Sequence, residues 1–356
     1  MIMAFNIEEI LRLGKEMGAS DVHLTVGLPP KMRVNGNLVT ASGEKLLPQD
    51  TLDIASHIMN ERQRAHFEEF GECDMSYAIA GEGRFRVNLF KQRGSVAMAI
   101  RLVDTEVPTP QALGLPQSVI ELYQKQRGLI LVTGPTGSGK STTLASFIDI
   151  INNNREAHVI TLEDPIEYLH KHKKSIVNQR EIGLDSINYA NALKAALRED
   201  PDVILVGEMR DYETISVAVT AAETGHLVLS TLHTLGAANT VDRIIDVFPS
   251  HQQQQIRIQF ANVLEAVISQ QLIPTADHTG RVAAFEVLHA TPAVRNLIRE
   301  GKTHQLATVM QTSAKLGMMT MDDSLLTLYK NHKISEDMVY QFALDQEAVK
   351  NKVAFV

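Results

Sequence analysis

The chain has 356 residues, enough for two domains with their own cores. Its formal net charge of −8 argues against a protein that coats nucleic acid, because such proteins need a strongly basic face. A single cysteine, Cys73, excludes an internal disulfide framework and a four-cysteine zinc site, and it suits a reducing compartment.

The first 102 residues predict a small α+β domain. Its N-terminal helix is amphipathic and lacks a basic start, and no apolar run approaches the ~18 residues of a membrane span, so we expect neither a signal peptide nor an integral membrane segment. Asn35 and Gly36 form a strong hairpin signal. The pattern predicts strands at 21–26, 31–34 and 37–40, helices at 48–60 and 61–70, and strands at 73–79, 84–92 and 95–102.

Three prolines interrupt all periodicity between residues 103 and 116. We therefore predict three parts: an N-terminal domain at 1–102, a linker at 103–116 and a second domain at 117–356.

Several arginines lie on or between the last two strands of the first domain. Strand alternation places Arg84 and Arg86 on one face, with Arg93 at the following turn. The position of any single one of these arginines is explained by a solvent-exposed face of the sheet. As a group they also match a guanidinium cluster that reaches the triphosphate of a neighbouring subunit and stabilises charge in the transition state.

A glycine-rich loop opens the second domain. An apolar strand at 128–133 leads into the pattern Gly, four residues, Gly-Lys-Ser, and a helix at 141–151 follows. Glycines let successive N–H groups face one anion, and the helix N-terminus adds its positive end. The alternative is a glycine-rich loop that binds no ligand. It is disfavoured, because the motif lies between a strand and a helix, as a phosphate-binding loop does. The loop residues that we assign to nucleotide are Gly134, Pro135, Thr136, Gly137, Ser138, Gly139, Lys140, Ser141 and Thr142.

Within this loop two side chains have distinct predicted roles. Lys140 reaches the β- and γ-phosphates of ATP. Ser141 provides a hydroxyl ligand for Mg²⁺, which makes ATP and Mg²⁺ the expected cofactors.

Strands and helices alternate after this loop, which predicts a mostly parallel sheet with ligands at the carboxyl ends of its strands. Apolar runs at 158–163 and 203–206 end at Glu163 and just before Glu208. Glu208 is expected beside the phosphate loop, where it orients or deprotonates the attacking water. Glu163 acts through metal-bound water or holds the nucleophile. The alternatives are an acid favoured by a helix N-terminus for Glu208 and a turn residue for Glu163.

Two histidines bracket the next apolar run, at 227–232. His226 and His233 could each sense the γ-phosphate or a neighbouring subunit, and we favour His226. A structural histidine is the alternative, and their positions at opposite ends of one strand indicate no metal cluster.

Four motifs occur in order along the chain: GPTGSGKSTT, TLEDPIEY, EDPDVILVGEMRD and TGHLVLSTLHT. They resemble the Walker A, Asp box, Walker B and His box of the secretion ATPase superfamily of P-loop NTPases, and most closely the PilT family of type IV pilus retraction ATPases. The resemblance implies a RecA-like ATPase domain behind a PAS-like N-terminal domain. It also implies a homo-hexameric ring, a cytoplasmic location at the inner face of the cell membrane and an inner-membrane pilus platform protein as partner.

The resemblance also implies roles for particular residues. Lys140 and Ser141 bind phosphate and magnesium, Glu208 is the catalytic carboxylate and Glu163 supports the metal and the water. His226 contacts the γ-phosphate. Gly207 stands where many P-loop enzymes carry an aspartate, a departure that the superfamily shares. The arginines that reach toward nucleotide are Arg84, Arg86 and Arg93.

Two features of the sequence favour a pilus retraction ATPase over a pilus extension ATPase. Extension and type II secretion ATPases usually carry a long N-terminal region and a four-cysteine insert, and we expect neither here. Residues 293–300, AVRNLIRE, are similar to a C-terminal motif of the retraction family. An ordinary surface helix would have the same pattern, with Arg295 on its polar side.

The sequence therefore predicts an ATP-hydrolysing hexameric motor that drives type IV pilus retraction, pilus disassembly and twitching motility. The alternatives are an accessory pilus ATPase that depends on a partner motor and a nucleotide-binding regulator with little hydrolysis. A DNA-translocating motor would share the fold, but the acidic balance argues against nucleic acid as a partner.

Overall fold

The computed structural model describes residues 5–34, 36–41, 43–79, 82–103, 106–277 and 279–353. The chain divides into two compact units, Met1–Glu106 with Pro165–Leu169, and Val107–Asp164 with His170–Val356. The linker predicted at 103–116 includes two residues outside the described ones, so the predicted domain boundaries stay a prediction. No helix among the described residues is long and apolar enough to cross a membrane.

The first unit contains one antiparallel six-stranded sheet with helices, which is the α+β arrangement expected from the sequence. The strand order is β3-β2-β1-β6-β5-β4. Val22, Met32 and Leu89 are fully buried in its core. Of the predicted hairpin signal, Asn35 lies outside the described residues, whereas Gly36 has a φ of 82°. The elements are α1 (Ile7–Glu16), β1 (Asp21–Leu24), β2 (Lys31–Val34), β3 (Asn37–Thr40), α2 (Pro48–Ile58), α3 (Glu61–Phe70), β4 (Glu72–Ile79), β5 (Gly83–Gln92) and β6 (Ser95–Leu102).

The second unit contains a seven-stranded, mostly parallel sheet. Its order is β13-β12-β7-β11-β10-β8-β9, and among the described strands of this sheet only β13 runs antiparallel to its neighbour. The strands are β7 (Gly128–Thr133), β8 (His158–Glu163), β9 (Ile176–Glu181), β10 (Val203–Val206), β11 (Leu227–Leu232), β12 (Leu264–Pro274) and β13 (Arg281–His289). The helices are α4 (Gln117–Ile120), α5 (Lys140–Asn154), α6 (Tyr189–Ala196), α7 (Tyr212–Glu223), α8 (Ala237–Asp246), α9 (Ser250–Val263), α10 (Pro292–Arg299), α11 (Leu306–Thr312), α12 (Met321–Lys330), α13 (Glu336–Phe342) and α14 (Gln346–Val353).

Both faces of this sheet are buried. Along β7, Leu129 and Leu131 belong to one hydrophobic cluster, whereas Ile130 and Val132 belong to another. Because side chains alternate between the faces of a strand, the two clusters lie on opposite sides of the sheet. The apolar runs predicted as strands are therefore central strands of an α/β core.

The sequence pattern near the C-terminus predicts one helix over residues 335–346. In the structure α13 ends at Phe342 and α14 begins at Gln346. The carboxylate of Asp322 accepts hydrogen bonds from the backbone N–H groups of Leu344 (2.7 Å) and Asp345 (3.1 Å). These bonds replace helical partners for the two N–H groups, so the helix breaks there.

The side chain of Arg295 on α10 is bound to the end of α9. It donates four hydrogen bonds, to the carbonyls of Ala290 (3.0 Å), Ala261 (2.6 Å) and Asn262 (2.6 Å) and to the carboxylate of Glu265 (3.0 Å). Its side chain is only 20% exposed. The sequence pattern places Arg295 on the polar side of a helix, and in the structure its guanidinium satisfies carbonyls at a helix end that lack helical partners.

Arg295→Ala should lower the free energy of unfolding by about 2 to 4 kcal/mol and the Tm by about 5 to 10 °C. Loss of the guanidinium leaves the carbonyls at the end of α9 unsatisfied. Glu265 keeps Lys125 as an ion-pair partner. Thermal unfolding followed by circular dichroism measures the effect. Arg299→Ala is the matched control, since Arg299 contacts side-chain oxygens of Asn296 and Asn262. An unchanged Tm in Arg295→Ala would contradict the structural role.

Candidate nucleotide-binding site

The phosphate loop has glycines where the fold leaves no room for a side chain. Gly134 has a φ of 142°, and a Cβ there would lie 2.2 Å from the carbonyl oxygen of Gln270. Gly139 has a φ of 88°, and its Cβ would lie 2.8 Å from the Gln270 amide nitrogen. Both glycines are therefore required by backbone conformation and by the close approach of β12.

Lys140 begins α5 and is 8% exposed. Its Nζ donates to the carbonyls of Gly134 (2.9 Å) and Pro135 (3.0 Å), which holds the ammonium group over the loop. Ser138 Oγ is buried and has no hydrogen-bond partner among the described residues. A loop with a buried cation, an unsatisfied hydroxyl and an uncapped helix N-terminus fits the phosphates of a nucleotide.

A glutamine that the sequence analysis missed supports this loop. Gln270 on β12 is 3% exposed and accepts a hydrogen bond from Thr143 Oγ1 through its Oε1 (2.7 Å). This bond turns the amide nitrogen of Gln270 toward Gly139. The sequence signal is the polar run Ser269-Gln270-Gln271 inside an otherwise apolar segment.

Two carboxylates lie at the same edge of the sheet as the loop. Parallel strands β8 and β10 pair at Leu162 and Val206, so Glu163 and Glu208 follow neighbouring strand ends. Strand β11 lies between β10 and β7. The strand that leads to Glu208 is thus separated from the loop strand by β11, because sheet order does not follow chain order in this fold.

Each carboxylate is oriented by neighbouring side chains. Glu208 Oε2 accepts from Arg210 Nε at 2.8 Å and lies 3.3 Å from His233 Nε2. Glu163 Oε1 accepts from Thr161 Oγ1 (2.6 Å). It also accepts from the Gln179 side-chain amide (3.1 Å), a residue on β9 that the sequence analysis did not single out. Fixed, partly buried carboxylates can orient water or a metal-bound ligand.

His226 is not at this edge. It precedes β11, and its carbonyl accepts a hydrogen bond from the N–H of Gly128 at the amino end of β7 (3.0 Å). Its ring Nδ1 lies 2.9 Å from the carbonyl oxygen of Ala221. The phosphate loop follows the opposite end of β7, about 20 Å away along a six-residue strand. The prediction that His226 contacts the γ-phosphate in its own chain is therefore wrong, and His233 is the histidine beside Glu208.

The predicted arginine cluster lies on the first unit. Arg84 and Arg86 share one face of β5, opposite the buried Phe85. Arg86 Nη2 is 2.6 Å from Asp74 Oδ2, and Arg84 Nη2 donates to Ser76 Oγ at 2.7 Å. Arg93, at the turn after β5, is exposed with a φ of 49°. The predicted shared face for Arg84 and Arg86 is confirmed.

No group of three or more histidine, cysteine, aspartate or glutamate side chains among the described residues could hold a metal ion. Mg²⁺ in a nucleotide site takes few protein ligands, because phosphates and waters complete its shell. The exposed Ser141 at the second position of α5 fits that limited role.

Known proteins are similar to this chain in sequence and in fold. A family model described as Type II/IV secretion system protein matches residues 16–340. The type IV pilus retractation ATPase PilT of Pseudomonas aeruginosa is 48% identical, over 93% of this chain and 96% of its own length. The type IV pilus ATPase PilU of the same organism is 44% identical, over 92% of this chain and 86% of its length. The crystal structure of the pilus retraction motor PilT with bound ADP has a TM-score of 0.91 and 50% identity, and the match covers 98% of this chain and 99% of that one.

Proposed function

Because the chain belongs to the Type II/IV secretion system protein family, we propose that it is the ATPase motor that drives type IV pilus retraction. The observation that carries this proposal is the 48% identity to PilT over 93% of the chain, which spans both compact units. The phosphate loop and the carboxylates at one sheet edge supply the chemistry that such a motor needs.

In this proposal residues 134–142 bind the phosphates of ATP. Lys140 leaves its carbonyl partners to bind the β- and γ-phosphates, and Ser141 is a ligand of the magnesium ion. Magnesium neutralises the charge of the phosphates when it is bound. Glu208 accepts the proton of the attacking water, and Glu163 orients that water or the water shell of the metal. His233 takes the position of a γ-phosphate sensor beside Glu208.

We also propose that the motor is a homo-hexamer whose active sites are completed between subunits. Arg84, Arg86 and Arg93 would stabilise charge on the triphosphate of the neighbouring subunit, since a guanidinium is a bidentate partner for phosphate oxygens. The motor would act from the cytoplasm at the inner face of the cell membrane, on an inner-membrane pilus platform protein. Nucleic acid is not part of this proposal.

The second candidate is an accessory pilus ATPase that works only beside a partner motor. The 44% identity to PilU favours this reading as the alternative. The two proposals differ in autonomy: a motor restores twitching in a strain that lacks every retraction ATPase, whereas an accessory protein does so only when the partner is present.

The test is Mg²⁺-dependent ATP hydrolysis by the purified chain over a concentration series. We expect the rate per chain to rise with concentration and then saturate, because active sites form as rings assemble. Size-exclusion chromatography with light scattering at the same concentrations reports the assembly. A rate per chain that is constant while assembly changes would contradict a site completed between subunits. Nucleotide binding without hydrolysis at any concentration would favour the regulator.

A further inference from the structure

The space beside Gly207 is occupied by a tyrosine hydroxyl. A Cβ at Gly207 would lie 2.8 Å from the hydroxyl oxygen of Tyr189, 3.2 Å from the carbonyl oxygen of Leu162 and 3.5 Å from the Cα of Glu163. Contacts below 3.0 Å essentially never occur for real Cβ atoms, so the hydroxyl is the group that excludes a side chain. A side chain at position 207 would therefore displace the Tyr189 hydroxyl.

Packing of α6 holds the tyrosine at this point. Tyr189 is the first residue of α6, and Asn188 caps the helix by accepting from the N–H of Asn191 (2.8 Å). Ala192 and Leu193, one turn later, are fully buried in the core cluster that Tyr189 also contacts. The ring is thereby fixed to a rigid element, as a group that orients others must be.

The hydroxyl lies beside Gly207, at the ends of the neighbouring strands that lead to Glu163 and Glu208. Burial, and after it the negative charges of Asp164, Glu208 and Glu163, raise the pKa of the Tyr189 phenol far above its usual value. The nearby Arg210 opposes this shift only in part. The phenol therefore keeps its proton at every working pH, and it can donate a hydrogen bond to a carboxylate.

We propose that the Tyr189 hydroxyl does the positioning work for which many P-loop enzymes use an aspartate at the Gly207 position. This inference rests on the proposed ATPase function. The hydroxyl would donate to the carboxylates of Glu163 or Glu208, and its lone pairs would accept from water in the shell of phosphate-bound Mg²⁺. An aspartate would add a further negative charge beside Glu163, Asp164 and Glu208, whereas the neutral phenol orients them without repulsion. Tyr189 is thus a positioning residue that acts through the carboxylates.

Tyr189→Phe removes only the hydroxyl. We expect kcat to fall about tenfold while the KM for ATP stays within about twofold, because the loss affects orientation and not phosphate contacts. The Mg²⁺ concentration that gives half-maximal binding of a fluorescent ATP analogue should rise severalfold, and this measurement needs no turnover. Tyr340→Phe is the matched control, since its hydroxyl bonds Glu336 on α13. If Tyr189→Phe matches Tyr340→Phe in both kcat and Mg²⁺ dependence, the proposal is overturned.

A double-mutant cycle tests the geometry itself. Gly207→Ala should lower the Tm of the nucleotide-free protein by about 5 °C, because the new methyl group meets the hydroxyl. Adding Tyr189→Phe should recover most of that loss, so the two changes are not additive. Additive effects would overturn the claimed contact. If the wild type binds ATP without hydrolysis, the proposed function fails, but the Mg²⁺ dependence of binding and the Tm cycle still decide the role of Tyr189.

Discussion

Replacing Glu208 with glutamine should reduce ATP turnover about 10³-fold and leave ATP affinity within about twofold. The amide has nearly the same shape as the carboxylate but cannot take a proton from water. The phosphate loop is unchanged in this variant, so the contacts that bind ATP remain. Phosphate release at saturating ATP measures the turnover, and titration with a fluorescent ATP analogue measures the affinity.

Glu213→Gln is the matched control for this prediction. Glu213 is an exposed acid in the first turn of α7 that pairs with Lys194. The same chemical change there should leave turnover within about twofold, because a surface ion pair contributes little. Turnover above a tenth of the wild-type rate in Glu208→Gln would exclude Glu208 as the base. Glu163, whose carboxylate lies at the end of the neighbouring strand, would then be the next candidate.

The phosphate loop and the parallel sheet could be predicted because both follow from local sequence. Six consecutive residues of β7 are buried, as the unbroken apolar run indicated. The glycines that follow it, such as Gly134 and Gly139, have positive φ angles that residues with a side chain rarely adopt. Where the conformation of a residue is determined by its own segment of the chain, the local sequence pattern is sufficient to predict it.

Strand β12 was not predicted, for a reason that concerns the site. Ser269, Gln270 and Gln271 break its apolar pattern, yet they are buried, at 0%, 3% and 7% exposure. Ser269 Oγ accepts from the N–H of Gly236, and Gln270 holds Thr143 beside the phosphate loop. Buried polar groups need partners, and those partners come from segments that are distant in the chain. Hydrophobic periodicity cannot reveal such pairs.

The error at His226 has a different origin. Two histidines flank β11 symmetrically in the sequence, but a parallel sheet is directional, and only the carboxyl end faces the ligand. His226 precedes the strand and His233 follows its end, so strand direction alone separates them. The role of Tyr189 could not be predicted for a third reason. It depends on the close approach of Tyr189 to Gly207, and the local sequence around either residue does not reveal that approach.

Removing Arg84, Arg86 and Arg93 together should reduce turnover about 10³-fold, the lower end of the range for arginines that stabilise a phosphoryl-transfer transition state. ATP affinity should fall far less, because the charge that they would neutralise develops in the transition state. The side chains of Arg86 and Arg93 are exposed on the first unit, where they can meet another subunit. Turnover and ATP binding are measured as for Glu208→Gln.

The matched control is the triple replacement of Arg12, Arg33 and Arg64 by alanine, which removes equal charge from the same unit. Those arginines bind Glu8, the Gly36 carbonyl and the Ser56 carbonyl. This control should keep turnover within about twofold, since exposed contacts contribute little.

A mixing experiment separates action between subunits from action within one subunit. Lys140→Ala should be inactive because its loop lacks the phosphate-binding ammonium group, but it keeps the three arginines. When it is mixed with the triple arginine variant and the rings are reassembled, a Lys140→Ala subunit can supply arginines to an intact loop on its neighbour. Activity should then appear from two inactive proteins. If the mixture stays as inactive as its components although mixed rings form, the arginines do not act on a neighbouring subunit's nucleotide.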